Sequence, residues 1–192
     1  FIGKNEFKEA VPDVMYYLDE PSGDASAVAL YFLAQEASKE VKVVLSGEGA
    51  DEIFGGYNIY LEPKALRFVD WIPAVLRRRM ADLARRLPRH MKGRNYLIRA
   101  SEPLQERYIG NAYIFHPKER RQLLKQRSGS TLEPAEFLKD AYAGIRELPD
   151  SDQMQSLDLL YWLPGDILQK ADKMSMAHSL ELRVPFLDRD VF

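Results

Sequence analysis

The chain has 192 residues, of which 46% are hydrophobic and 29% are charged, which is the composition of one ordinary globular domain. Its 27 basic and 29 acidic side chains leave a formal net charge of −2, so nucleic-acid binding through overall charge is excluded and only a local patch would support it. The lack of cysteine excludes disulfides, thiolate metal sites and a cysteine nucleophile from these residues.

The sequence contains no run of about 18 uncharged apolar residues and no leader-like N-terminal pattern, so we expect a cytoplasmic protein without a membrane span. The chain starts at Phe1 rather than at a methionine, and it stops at Phe192 soon after a dense motif. We therefore expect it to be part of a longer polypeptide.

The first third of the chain predicts a turn, a helix, a strand and an acidic loop, in that order. A turn-rich stretch at 19–24 precedes an amphipathic helix over 25–39, with Asp24 as its N-cap. The β-branched run 41–45 predicts a buried parallel strand. It leads directly into the sequence SGEGADE at 46–52.

The middle of the chain predicts an amphipathic helix between Pro73 and Pro88. Its apolar stripe, spaced by four, four, three and four residues, consists of Ile72, Leu76, Met80, Leu83 and Leu87. A basic cluster falls largely on the opposite face and consists of Arg77, Arg78, Arg79, Arg85, Arg86, Arg89, His90, Lys92 and Arg94. This cluster fits either RNA or an anionic membrane, or the polar face of a surface helix, and no aromatic residues interleave with it to stack bases.

The last third predicts further helices over 117–125, 137–146 and 154–163, and a loop over 126–133. Pro164-Gly165 is expected to end the third of these helices. The spacing of Asp166 and Gln169 then predicts a capping box for a final helix that runs through Met176.

The loop 46–52 is the first segment whose residue types indicate a chemical function. A glycine-rich turn after a strand presents backbone N–H groups to phosphate, and a following helix N-terminus adds positive potential. Three carboxylates lie in this loop and repel bare phosphate, so the pattern makes sense with a hard cation such as Mg²⁺ between the two. The alternative is a solvated turn whose acidic residues favour the helix start.

The segment 169–188 is the second. A lysine on a capped helix, followed by Glu181 and Arg183, would bring a cation to a phosphate site and pin it with an ion pair. We expect Glu181 and Arg183 to point to the same side of an extended stretch as a buried structural pair that orients the Lys173 segment. His178 is expected to be a packing residue.

Read together, these segments resemble the glutamine-hydrolysing asparagine synthetases. The resemblance rests on VLSGEGADEIFGGY at 44–57, on DKMSMA at 172–177 with ELRVPFLD at 181–188, and on DEPSGD at 19–24. These motifs have the order and separation of that family. They cover roughly the first third and the last fifth of the chain.

The resemblance implies the synthetase half of such an enzyme, with the α/β fold of the adenine nucleotide hydrolases and its parallel sheet. It implies ATP and Mg²⁺ as requirements, and the conversion of aspartate to β-aspartyl-AMP followed by amidation with glutamine-derived ammonia. By resemblance, Ser46 and Gly47 contact ATP, and Asp51 holds pyrophosphate-bound Mg²⁺. Glu48 acts in adenylate formation and on the amine, and Lys173 stabilises charge on the departing phosphate.

Two features of the family are missing from residues 1–192, which we interpret as the C-terminal part of the synthetase domain. The pyrophosphate loop SGGxDS is absent, since SGDAS at 22–26 is only a superficial echo, and so is the glutaminase domain with its N-terminal cysteine. The first strands of the sheet should be missing too, which leaves a mostly helical fragment with one or two strands. We expect this fragment to be inactive alone.

Three interpretations stay open. The glutamate of the motif would serve other amines as well, so a related AMP-forming ligase that makes β-lactams or macrocycles is an alternative. A noncatalytic module that binds through its basic helix is the alternative from another class. For the ligase we expect aspartate and ammonia as partners, with neither nucleic acid nor membrane, and a homodimer is compatible with the sequence.

Overall fold

The computed structural model describes residues 2–20, 22–88, 90–111, 122–123 and 133–191. The chain divides into two compact units, residues 1–54 with 159–192 and residues 55–158. No helix among the described residues is both long and apolar enough to cross a membrane.

The first unit combines helices from both ends of the chain with a small sheet. Its regular elements are α1 (Lys4–Leu18), α2 (Ser26–Ala37), β1 (Val43–Leu45), α3 (Ala50–Phe54), α11 (Gln169–Met176), β2 (Glu181–Arg183) and a 3₁₀ turn (Pro185–Leu187). Helices α1, α2 and α11 pack against each other around Val14, Leu18, Val28 and Met174, all of which are buried. The helix predicted over 25–39 is confirmed as α2, whereas the sequence analysis did not predict α1.

The sheet confirms the predicted parallel strand but corrects its burial. Strands β1 and β2 pair in parallel, with Val43 opposite Glu181 and Leu45 opposite Arg183. The prediction of a buried strand was wrong, since Val43 is 42% exposed and Leu45 is 72% exposed. Parallel strands are buried when helices cover both faces of a wide sheet, and a sheet of two three-residue strands offers helices too little surface.

Helices are the regular elements in the described residues of the second unit. Its α-helices are α4 (Glu62–Leu66), α5 (Ala74–Arg86), α6 (Arg94–Arg99), α7 (Leu104–Arg107), α8 (Pro134–Phe137), α9 (Lys139–Ile145) and α10 (Asp150–Leu157). Two 3₁₀ turns, Asn58–Leu61 and Arg67–Val69, flank α4. Helices α8 and α9 together match the predicted helix 137–146, while the predicted helix 117–125 and the loop 126–133 lie almost entirely outside the described residues.

Helix α5 lies where the sequence predicts it, directly after Pro73, but its predicted apolar stripe is buried only in part. Leu76 is 50% exposed and Leu83 is 64% exposed, whereas the other three residues of the stripe are partly buried. The residues that α5 buries completely are Ala81 and Ala84, and α5 packs on α6. Alanines contribute little to an apolar pattern, yet their small side chains let two helices approach closely, so packing selected this face.

A π-helix (Asp158–Leu168) replaces the predicted break at Pro164-Gly165 and leads directly into α11. The predicted helix end was therefore wrong. In a π-helix each N–H bonds to the carbonyl five residues earlier, and the wider turn relieves the clash between a proline ring and the carbonyl four residues before it. The predicted capping box was wrong as well, because Asp166 lies inside this helix.

The core of the second unit surrounds a buried carboxylate. The carboxylate Oδ2 of Asp158 accepts hydrogen bonds from the Tyr60 hydroxyl at 2.6 Å, from the Tyr108 hydroxyl and from the Asn111 amide at 3.0 Å. Burial raises the pKa of Asp158, and the tyrosine hydroxyls oppose that increase. The hydrogen bonds thus replace the water that this carboxylate loses on folding.

Candidate functional site

The loop 46–52 joins β1 to α3 and lies in the first of two signature segments, residues 44–57. Its backbone bonds to the second signature segment, residues 172–188. The Ser46 N–H donates to the Arg183 carbonyl at 2.8 Å, which extends the pairing of β1 with β2 beyond Leu45. The Ala50 N–H donates to the Gly47 carbonyl at 3.1 Å and closes the turn into α3. The two signatures, 137 residues apart in sequence at Ser46 and Arg183, are therefore neighbours in the fold.

Gly49 is packed closely against the segment 181–188. It has a φ of +88°, and a Cβ placed there would lie 2.8 Å from Leu187 Cγ and closer still to Leu187 Cδ2. Five residues further along, the ring of Phe54 packs edge-on against the ring of Phe186, with centroids 5.8 Å apart. The backbone of the loop thus needs glycine both for its conformation and for its contact with the 3₁₀ turn.

Glu48 is half-buried in this loop among other carboxylates. Burial is the main cause that raises the pKa of Glu48, and the positive charge of Lys170 opposes it. The negative charges of Glu52, Asp51 and Asp24 raise the pKa further. A carboxylate with a raised pKa is a stronger base than an ordinary glutamate, which suits a group that accepts a proton.

Lys173 lies on α11, and its partner is the segment 19–24. Its ammonium group donates a hydrogen bond to the Asp19 carboxylate, and both side chains are exposed. This hydrogen bond raises the pKa of Lys173. The structure therefore joins Lys173 to the Asp-Glu-Pro segment, whereas Ser46, Gly47, Glu48 and Asp51 share one loop.

Lys170 is a buried cation of the first unit that the sequence did not single out. Its ammonium group is buried, it donates to the Asp24 carboxylate and, at 2.8 Å, to the Ser26 hydroxyl, and its charge acts on Glu48. A signal was available, because Lys170 occupies a position in the apolar stripe of buried residues made by Leu163, Ile167, Ala171 and Met174. A lysine within such a stripe needs a buried partner.

The ion pair in β2 corrects one expectation. Arg183 Nε donates to Glu181 Oε1 at 2.8 Å, so the two side chains point to the same side of the strand as expected. The pair is not buried, because both side chains are more than half exposed. A strand in a narrow sheet leaves such a pair in water, where it contributes about 0–1 kcal/mol to the stability of the fold. Lys173 is bound by Asp19 and not by this pair.

His178 packs against the ring of Tyr31, with ring centroids 4.4 Å apart. Burial lowers the pKa of His178, which favours the neutral imidazole. The contact agrees with the expected packing role.

The basic cluster is used in part for ion pairs within the second unit. Arg77 pairs with Asp70 at 3.1 Å, and Arg85 pairs at 2.8 Å with both Asp82 and Glu102. Arg94 donates to the Leu87 carbonyl at 3.1 Å. Arg89 lies outside the described residues. These contacts agree with the polar face of a surface helix.

The donor set at the loop fits Mg²⁺ that is held mainly by substrate. Asp51 presents an exposed carboxylate in the first turn of α3, and carboxylate oxygen is a hard donor. In the described ranges, no three His, Cys, Asp or Glu side chains form a group that could hold a metal ion. Mg²⁺ binds through one or two carboxylates plus substrate phosphates rather than an all-protein cage, so a single loop carboxylate is sufficient.

Comparisons with known proteins agree on one family. The family model for asparagine synthase matches residues 1–192. Over 191 residues the chain is 46% identical to glutamine-hydrolyzing asparagine synthetase 1 of Bacillus subtilis (strain 168), which covers 100% of this chain and 30% of that relative. It is 27% identical over 188 residues to asparagine synthetase 3 of the same organism, covering 97% of this chain and 25% of the relative.

A Mycobacterium bovis protein provisionally named a glutamine-hydrolyzing asparagine synthetase is 48% identical over 191 residues, which is 100% of this chain and 29% of that protein. The chain thus spans less than a third of the length of these relatives. No solved structure gives a significant match.

Proposed function

The chain belongs to the asparagine synthase family, and we propose that it forms part of the synthetase half of an enzyme that makes asparagine from aspartate, ATP and ammonia. In this proposal residues 1–192 are the C-terminal part of a synthetase domain with the fold of the adenine nucleotide hydrolases. Ammonia comes from a glutaminase domain in the rest of the polypeptide. The pairing of β1 with β2 supports this proposal, because it brings the loop 46–52 next to the segment 181–188.

In the first step, the β-carboxylate of aspartate attacks the α-phosphorus of ATP, and pyrophosphate leaves. Ser46 and Gly47 bind the nucleotide, and Asp51 holds the Mg²⁺ that accompanies pyrophosphate. When bound, Mg²⁺ neutralises charge on the phosphates. Lys173 supplies a fixed positive charge, and such a charge is most effective where negative charge develops in the transition state.

In the second step, ammonia attacks the activated carbonyl of β-aspartyl-AMP, AMP leaves, and the attacking nitrogen loses a proton. Glu48 accepts this proton. The observation that carries the proposal is the environment of Glu48, which is half-buried, lies in the loop held by Arg183, and has a pKa raised by burial. A base of this kind matches the need of the amide-forming step.

The test compares two products in the complete parent enzyme with saturating ammonia. Glu48→Gln keeps the shape of the side chain but removes the base, so asparagine formation should fall more than aspartate-dependent pyrophosphate release. The matched control is Glu40→Gln, because Glu40 is an exposed glutamate in the turn before β1, and both products should stay at wild-type rates. Equal loss of both products in Glu48→Gln would contradict the role of proton acceptor.

A second variant separates Lys173 from Glu48. Lys173→Ala should slow both products together by about 10²–10³-fold, because it removes one preorganised positive group from the adenylation step. Unchanged pyrophosphate release in this variant would remove Lys173 from the proposed mechanism.

A further inference from the structure

Lys170 is the buried cation of the first unit's described residues that the proposed mechanism does not use. Its side chain is 9% exposed, and its ammonium group donates to the Asp24 carboxylate and, at 2.8 Å, to the Ser26 hydroxyl. The Asp166 carboxylate lies 3.8 Å from the same ammonium group. An ammonium group removed from water costs several kcal/mol unless partners of this kind surround it.

The partners of Lys170 connect the turn 22–26 to the helices that follow Asp158. Asp24 Oδ1 accepts the N–H of Ser26, the first residue of α2, at 2.8 Å, so the residue that pairs with Lys170 also binds the start of that helix. The predicted N-cap was wrong by one residue, because Ala25 and not Asp24 occupies the N-cap position. The Ser22 hydroxyl accepts the Asp24 N–H at 3.1 Å and donates to Asp166 Oδ1 at 3.5 Å. Lys170 therefore lies at the centre of a closed polar network.

The same ammonium group is the positive charge that acts on Glu48 within the described part of the chain. The charges around Glu48 are those of Lys170, Glu52, Asp51 and Asp24, so one cation stands against three carboxylates. The packing of the first unit brings Lys170 towards Glu48. Helix α11 carries Lys170 and contacts both α2 and β2, and β2 bonds to the loop that contains Glu48.

On the basis of the proposed function, we propose that Lys170 is a positioning residue for the amide-forming step. Its ammonium group fixes the turn 22–26 against α11 and supplies the positive charge that keeps Glu48 ionised among its carboxylate neighbours. Lys170 acts through Asp24 and Glu48, and it does not touch the reacting atoms.

The test measures the pH dependence of asparagine formation by the complete parent enzyme at a constant, saturating concentration of free NH3, so that protonation of the substrate does not set the acidic limb. Lys170→Met removes the charge, so the acidic limb of the pH–rate profile, which reports the ionisation of Glu48, should move upward by about 0.5–1 pH unit. Lys170→Arg keeps the charge and should leave the limb in place. The control is Lys39→Met, which removes an exposed lysine paired with Glu36 and should change nothing.

Asp24→Asn provides the opposite sign and guards against a Lys170→Met variant that fails to fold. It removes a negative charge that raises the pKa of Glu48, so the acidic limb should move downward. A purely structural role of the network predicts loss of rate without these opposed shifts. The proposal for Lys170 would be overturned if the acidic limbs of the two variants' pH–rate profiles stayed in place or moved in the same direction.

Thermal unfolding gives a readout that does not depend on activity. Burial raises the pKa of Asp24, but hydrogen bonds from Lys170 and Ser26 outweigh this and leave the pKa below its usual value. Such a group stabilises the fold above its unfolded pKa, and the stabilisation is lost as the pH falls. The Tm difference between wild type and Lys170→Met should therefore shrink once the pH falls below the unfolded pKa of about 3.8, and a difference that does not shrink there would contradict the ion pair.

The two levels of the account can fail separately. A wild-type parent that makes asparagine, combined with unmoved limbs, overturns only the proposal for Lys170. A wild-type parent that makes no asparagine from aspartate overturns the proposed function, and the Tm comparison then still decides whether Lys170 and Asp24 form the buried pair.

Discussion

At the scale of single residues, the environment of Glu48 links chemistry to stability. Burial raises the pKa of this carboxyl, so the folded protein favours its neutral form. A raised folded pKa contributes stability below the unfolded pKa, and this contribution is lost as the pH rises through the folded pKa. The charged Glu48 that the proposed mechanism requires therefore lowers the stability of the fold at neutral pH, a common trade at functional sites.

Glu48→Gln should consequently raise the Tm of the complete enzyme at pH 7.5. The difference should vanish when the pH falls below about 4, where both states of the wild-type residue are protonated. Thermal unfolding at the two pH values checks this. A lower Tm for Glu48→Gln at pH 7.5 would mean that the carboxylate makes net stabilising contacts.

Gly49 is the residue whose substitution the geometry constrains most. Gly49→Ala should lower the free energy of unfolding by about 1–3 kcal/mol from the left-handed backbone alone, and by more through contact with Leu187. Gly47→Ala is the matched control for folding, since a Cβ there meets no atom within 4 Å. Combining Gly49→Ala with Leu187→Ala should recover the contact part of the loss in chemical denaturation, and no recovery would place the damage in the backbone.

At the scale of elements, the sequence predicted the helices and strands that short-range residue patterns determine. The parallel strand and helix α2 follow from β-branched and amphipathic runs, and the acidic loop between β1 and α3 follows from its glycines and carboxylates. The π-helix could not be predicted, because Pro164-Gly165 is a pattern that usually ends an α-helix and nothing local indicates a wider turn. Helix α1 contains Pro12, which also argues locally against a helix.

Helix α5 provides a test of the corrected buried face. Ala84→Leu should destabilise the protein by about 1–3 kcal/mol, because a larger side chain must enter the tight contact with α6. Leu83→Ala, which removes an exposed side chain from the same helix, should change stability by about 0.5 kcal/mol or less. Urea denaturation of both variants measures the free energy of unfolding. A larger loss of stability in Leu83→Ala than in Ala84→Leu would show that the stripe predicted from the sequence is the buried face.

At the scale of the whole molecule, tertiary structure determines which charges meet. The sequence predicted Glu48, Asp51 and Lys173 as site residues, and it gave no prediction for Lys170, because burial is a property of the folded chain. Only the packing of α11 on α2 shows that Lys170 is buried beside Asp24. The proposed site therefore depends on long-range packing of α11 as much as on its two signature segments.

The chain spans less than a third of its relatives and lacks the sequence SGGxDS within residues 1–192, so we expect it to be inactive alone. A partial phosphate cradle loses geometry as well as contacts. Purified residues 1–192 should therefore give no aspartate-dependent exchange of pyrophosphate into ATP, and exchange at the rate of the parent enzyme would show that these residues suffice for adenylation.

The most direct measurement of the central claim is exchange of labelled pyrophosphate into ATP by the complete parent enzyme, with and without aspartate. The account predicts exchange that requires aspartate and Mg²⁺, that Lys173→Ala lowers by about 10²–10³-fold, and that Glu40→Gln leaves unchanged. Exchange that proceeds without aspartate, or aspartate-dependent amidation that releases ADP and phosphate in place of AMP and pyrophosphate, would contradict it.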